Sequence, residues 1–159
     1  MKKILFLTVY LLCVSIISLF SQNSELDSII NVNISLKELS NSTPDKLDKI
    51  IVSEKYIILE GIISSIREIE RSENNFIIDL HLLNGEWIGM DRIDVYKCII
   101  NVDGKEWENR FPKRAPREPT EELILLNNQV MVIGKVTDYV MDNSILTAVV
   151  NAEYIRKIQ

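Results

Sequence analysis

The chain is poor in the residues from which most active sites are built. One histidine, His81, stands among 159 residues. No Gly-x-Ser-x-Gly, His-Glu-x-x-His or phosphate-cradling glycine loop occurs. With no nucleophile beside a base, covalent chemistry has no centre, and the expectation is a protein that is not an enzyme. Carboxylates are plentiful, Glu60, Asp79, Asp91, Asp94 and Glu108 among them, but without a partner motif they read as a solvated face. Asp79 and His81 lie two apart and so share one strand face. A lone histidine and one carboxylate are not a ligand set, so neither a metal nor a cofactor is expected. Cysteine is scarce as well: Cys13 lies in an apolar N-terminal run and Cys98 in Cys98-Ile99-Ile100. One remaining thiol cannot close an internal disulfide and reads as a core residue, so the fold must stand on its hydrophobic core.

Positive charge is also short. Lysine and arginine number 18 against 23 acidic residues, a net charge of −5. An acidic chain gains little from counter-ion release, which makes nucleic acid a poor partner on this reading. Lys2 and Lys3 precede the uncharged run Ile4–Phe20, and Ser21, Gln22 and Asn23 follow it. Residues 1–21 therefore read as a secretory signal peptide cleaved near Ser21, with an uncleaved anchor as the alternative. The run Tyr10-Leu11-Leu12 ahead of Cys13 lacks the small residue of a lipid-attachment site. Loss of the signal would leave about 138 residues, enough for one domain with its own core.

Residues 22–54 read as an N-terminal extension. Ile30, Val32, Ile34 and Leu36 alternate with polar residues, which predicts a short strand. Pro44 after Thr43, with Leu47, Ile50 and Ile51 at helical spacing, predicts a helix near 44–52. Residues 55–159 are mostly strand. Tyr56–Glu68 carries Gly61 at its middle, and Gln129–Val140 carries Gly134. A glycine inside a strand marks a bend where a barrel strand passes from one sheet to the other. Phe76–Leu82 alternates as a second strand, Asn84–Gly89 reads as a loop, and Ile93–Val102 reads as a third strand. Asp103-Gly104 predicts a hairpin turn with Lys105–Phe111 folding back, and Thr120–Leu126 a short helix. Ile145–Ile155 is the last strand.

Three strands, a short helix and two further strands is the layout of the OB-fold, a five-stranded Greek-key barrel. In detail, Tyr56–Ile63, Tyr96-Lys97-Cys98-Ile99-Ile100, Leu126–Val136 and Glu153–Ile158 resemble segments of the tRNA-anticodon-like and periplasmic bacterial OB-fold families. The resemblance covers residues 53–158. It implies a mainly β barrel in a small exported protein, and it assigns no activity.

The candidate binding residues lie outside the regular strands so read. Arg110, Lys113, Arg114 and Arg117 fall within eight residues, beside Trp107 and Phe111 and interleaved with Pro112, Pro116 and Pro119. Glu106, Glu108, Glu118, Glu121 and Glu122 cancel much of that field. Trp87 and Trp107 sit in or near predicted loops, where tryptophan marks contact surfaces; Tyr56 and Tyr96 read as packing. If both tryptophans share a side with the basic loop, that side is the predicted site. The expected function is a non-enzymatic binding module of the periplasm or cell envelope, with a protein or an anionic envelope component as partner. The alternative is an assembly subunit docking through residues 22–54, and single-stranded nucleic-acid binding stands third. Whether Ile30, Val32, Ile34 and Leu36 pack on their own barrel decides between the first two.

Overall fold

The computed structural model describes residues 26, 28–142 and 145–158; the signal peptide read over residues 1–21 lies outside them. The ordered elements are α1 (Leu36–Ser40), α2 (Pro44–Ser53), β1 (Tyr56–Arg71), β2 (Phe76–Ile88), β3 (Arg92–Asp103), a 3-10 helix (Lys105–Arg110), β4 (Gln129–Asp142) and β5 (Ile145–Lys157). The strands close into a barrel in the order β1-β2-β3-β5-β4. All neighbours are antiparallel except β3 and β5, which run parallel through Ile99–Asn101. This is the five-stranded OB barrel, with a short helix between strands three and four, as expected.

Closure depends on β1 changing partners midway. Tyr56–Ile62 pairs with β4, and from Ile62 onward the strand pairs with β2. Gly61 stands at the exchange, where a Cβ would come within 2.6 Å of the Leu83 carbonyl oxygen. Gly134 sits opposite Ile57 and beside a bulge in the β4–β5 ladder. A side chain there would strike the Asn151 backbone. Both glycines thus permit close backbone approach where the barrel turns.

Alternation sorts each strand into two faces. Ile57, Leu59 and Ile63 of β1, Ile78, Leu80 and Leu82 of β2, and Cys98, Ile100 and Val102 of β3 point inward and are buried. Burying such a side chain contributes about 1.5–3 kcal/mol. Burial also pushes the Cys98 thiol far above its usual range. Cys98 is expected to resist iodoacetamide at pH 8 in the native protein and to label once guanidinium is added. Labelling at equal rates in both states would show that this strand face opens.

The N-terminal segment is part of this core. Ile34, Leu36, Leu39, Leu47 and Ile50 join the same buried cluster as the barrel residues, whereas Val32 is exposed. The predicted strand over Ile30–Leu36 does not form: Ile30 makes a single parallel bridge to Tyr56. The chain then enters α1 through a capping box, in which Ser35 accepts from the Glu38 N–H and Glu38 accepts from the Ser35 N–H. Ser-x-x-Glu is the sequence signature of that box, and it outweighs a short alternation. The predicted α2 is present, with Pro44 in its first turn. Ile34 and Leu36, two of the four residues on which the assembly alternative turned, thus pack on their own barrel, while Val32 is exposed and Ile30 half-buried.

Two other local expectations are corrected. Lys105–Phe111 does not return as a strand, because β3 already has β2 on one edge and β5 on the other. The segment winds into the 3-10 helix and buries Trp107 and Phe111 against the barrel. Thr120–Leu126 forms turns instead of a helix. Its backbone donors are taken elsewhere, Ile124 N–H by the Arg110 carbonyl and Leu125 N–H by Asn128 Oδ1.

Candidate binding face of the barrel

The outward faces of β1, β2 and β3 carry more apolar surface than solvation alone requires. The phase that turns Leu80 and Leu82 inward turns Leu83, Gly85 and Trp87 outward along β2. Its ladder pairs Leu83 with Lys97, Gly85 with Val95 and Trp87 with Ile93. Trp87 is 68% exposed and Val95 58%. On the barrel side of this ribbon, Ile58, Glu60 and Ile62 project from β1.

Two hollows meet on this face. One, of 640 Å³, is lined by Val32, Lys37, Ile58, Glu60 and Glu86 among others. A second, of 280 Å³, is lined by Ile62, Ser64, Leu83, Val95 and Asn127. Asn84 and Gly85 border both, so the two form one track across the sheet. A Cβ at Gly85 would lie 3.2 Å from Ile93 Cγ2. Its missing side chain keeps the floor of the track low where the hollows join. Trp87 stands two residues further along the same outward face, beyond the floor.

The electrostatics of the track are nearly neutral. Lys37 of α1 donates to Glu86 Oε2, and the Tyr96 hydroxyl donates to the same oxygen at 3.1 Å. The hydrogen bond from Lys37, followed by that from Tyr96, holds the Glu86 carboxyl below its ordinary range. The same contact with Glu86 raises Lys37. Further out, Arg92 forms a bidentate pair with Asp94. Lys37 is the one cation among the residues lining the two hollows, and it is already paired. The track therefore offers flat apolar contact and scattered polar atoms in place of a cationic groove.

The structure divides the six predicted site residues. Trp87 lies on this face, on a strand and not in a loop, because Asn84–Ile88 continues the β2–β3 ladder. Trp107 is buried. Arg110 stacks over it at 5.2 Å and donates to the Ile155 carbonyl at 2.8 Å, so both residues fasten the 3-10 helix to the barrel. Lys113, Arg114 and Arg117 are exposed on the connection to β4. That connection lies at the Phe76 end of β2 and Trp87 at the other, roughly 35 Å apart along the strand at about 3.3 Å per residue. The two tryptophans and the basic loop do not form one side. Asp79 is occupied by Arg67 and Asn101, at 2.6 and 2.9 Å. No group of three or more metal-ligating side chains exists among the described residues.

Sequence reading missed Ile58, Ile62, Gly85, Val95 and Lys37. Extending the β2 alternation beyond Leu82 would have placed Leu83, Gly85 and Trp87 on one face. Lys37 is visible only after α1 packs on the barrel.

No protein-family model matches this chain, and no curated protein matches it. Among solved structures it is similar to the protein PriB of Ralstonia solanacearum, at 10% identity and TM-score 0.40, over 65% of this chain and 97% of that one. It is similar to the Plasmodium falciparum SSB in complex with ssDNA, at 11% identity and TM-score 0.44, over 65% and 94%. A small single-stranded DNA-binding protein of Streptomyces coelicolor matches at 12% identity and TM-score 0.42, over 64% and 90%. At these values the likeness is one of fold alone. The expectation of a periplasmic or envelope module with nucleic acid set aside as a partner does not agree with these neighbours, one of them a single-stranded DNA-binding protein and another solved with ssDNA.

Proposed function

We propose that this protein is a non-enzymatic barrel that binds a single-stranded nucleic-acid segment along the outer face of β1, β2 and β3. The observation that carries the reading is Trp87, mostly exposed on β2 and in line with the track floored by Gly85. The strand 2–3 face is where OB barrels seat oligonucleotides and oligosaccharides. A base stacked on an aromatic ring contributes about 1–3 kcal/mol whatever its identity, so such binding tolerates any sequence. With Lys37 already paired to Glu86, stacking and apolar contact supply the affinity, and phosphate neutralisation adds little.

Fluorescence anisotropy with a labelled oligo(dT) tests this. Saturable binding is expected at low salt, and Trp87→Ala should weaken it about ten- to a hundredfold. The dependence of log K on log salt should have a slope no steeper than about −1, since each neutralised phosphate of a single strand contributes about −0.7. Equal affinity of the variant, or no binding at low salt, would sink the proposal. So would selective binding of a neutral oligosaccharide in place of oligo(dT).

A further inference from the structure

A third hollow lies at the other end of the barrel, away from Trp87, under the connection from the 3-10 helix to β4. It measures 440 Å³, within the range of about 300–1,000 Å³ in which small-molecule sites fall. Buried Ile78, Phe111 and Ile124 form its apolar base, and Ile66, Pro112 and Leu126 form its sides. The remaining lining includes three charged residues, Glu68, Arg71 and Lys113, and the exposed Ala115.

Two of the three charges are spent on each other and on the fold. Arg71 Nε donates to Glu68 Oε2 at 2.6 Å, Nη1 to Glu108 Oε1 at 3.1 Å and Nη2 to the Phe111 carbonyl at 2.9 Å. Its guanidinium also lies over the Phe76 ring at 4.6 Å. Glu108 is in turn paired with Lys105. Of the three charged lining residues, Lys113 alone has no hydrogen-bond or ion-pair partner. The hollow is therefore an apolar chamber with one uncommitted positive charge at its edge.

From this we infer a second binding site, for a small amphiphilic anion: an apolar chain carrying one carboxylate. The chain would lie on Ile78, Phe111 and Ile124, and the carboxylate would meet the Lys113 ammonium. A cationic amphiphile of the same length gains the apolar contact but faces Lys113 with like charge, so the site selects by sign.

Titration of the full ¹⁵N-labelled chain with decanoate, followed by amide chemical shifts, tests the site directly. Saturable shifts are expected at Ile66, Phe111, Ala115 and Leu126, with none at Trp87. Lys113→Glu should weaken decanoate roughly fivefold or more, an exposed ion pair being worth up to about 1 kcal/mol and its reversal more. Ala115→Trp should fill the hollow and abolish the shifts. A circular dichroism melt equal to that of the parent shows that each variant is folded, and Lys113→Glu carries the test if Ala115→Trp is not. Absence of saturable shifts, equal binding of decyltrimethylammonium, or unchanged decanoate affinity in the folded variants would overturn the site. The result is separate from oligo(dT) binding, which Lys113→Glu should leave as it is.

Discussion

Leu39→Ala is expected to lower the unfolding free energy by about 2–5 kcal/mol, as much as the same truncation at Leu80 in the barrel. Leu39 is 1% exposed, and Leu80 likewise. Removing a buried leucine forfeits its transfer free energy and leaves a cavity that rigid neighbours cannot fill. Barrel strands are such neighbours, because their backbones are tied in ladders on both edges. Urea denaturation followed by far-UV circular dichroism checks the prediction. One cooperative transition shifted to lower denaturant is expected for both variants, since α1 and the barrel share a core. A loss below about 1 kcal/mol at Leu39, beside the full loss at Leu80, would mean that residues 28–54 are an appendage. The result would also bear on the binding face, because α1 delivers Lys37 to Glu86.

Gly134→Ala should destabilise by about 2 kcal/mol or more, against the usual trend. Replacing glycine by alanine where the backbone permits it stabilises by about 0.4–1 kcal/mol, through the unfolded chain. At Gly134 the new methyl group meets the Asn151 backbone on β5 and lies 3.0 Å from Val150 Cγ1. Backbone in a ladder cannot step aside, and overpacking costs about 1–3 kcal/mol or more, so the collision wins. Gly85→Ala is the comparison. Its methyl meets only Ile93 Cγ2, at 3.2 Å, on an exposed side chain, and a loss under about 1 kcal/mol is expected. Thermal melts of the two variants against the parent decide the point. Equal melting of Gly134→Ala and the parent would show that the barrel closes less tightly there than the geometry requires.

Much of the barrel is legible in residue order because strand burial repeats every second residue. Phe76, Ile78, Leu80 and Leu82 announce which face of β2 is inside, and the same rule places Cys98 and Ile100. Gly61 and Gly134 mark where the strands come close. What local pattern could not resolve is competition between neighbouring signals. At Ile30–Leu36 an alternation competed with the Ser35–Glu38 capping box, and at Asp103-Gly104 a hairpin signal met a strand with no free edge. The same limit explains the tryptophans. Trp107, beside four cations in sequence, looks like a contact residue, and its burial follows from the 3-10 turn that Phe111 and Trp107 together anchor. Trp87, read as a loop residue, lies on a ladder because Ile93 and Val95 pair across from it.

Composition and spacing determined that this chain builds a strand-rich barrel, because hydrophobic periodicity is a local property. Tertiary structure alone decided which surfaces are open. Ile58, Ile62 and Gly85 line one track, with Trp87 beyond it, only when the strands close into the barrel, and Lys113 borders an apolar chamber only where its connection packs against Ile66 and Ile78. Both outcomes depend on contacts between residues far apart in the chain, and no local pattern encodes them.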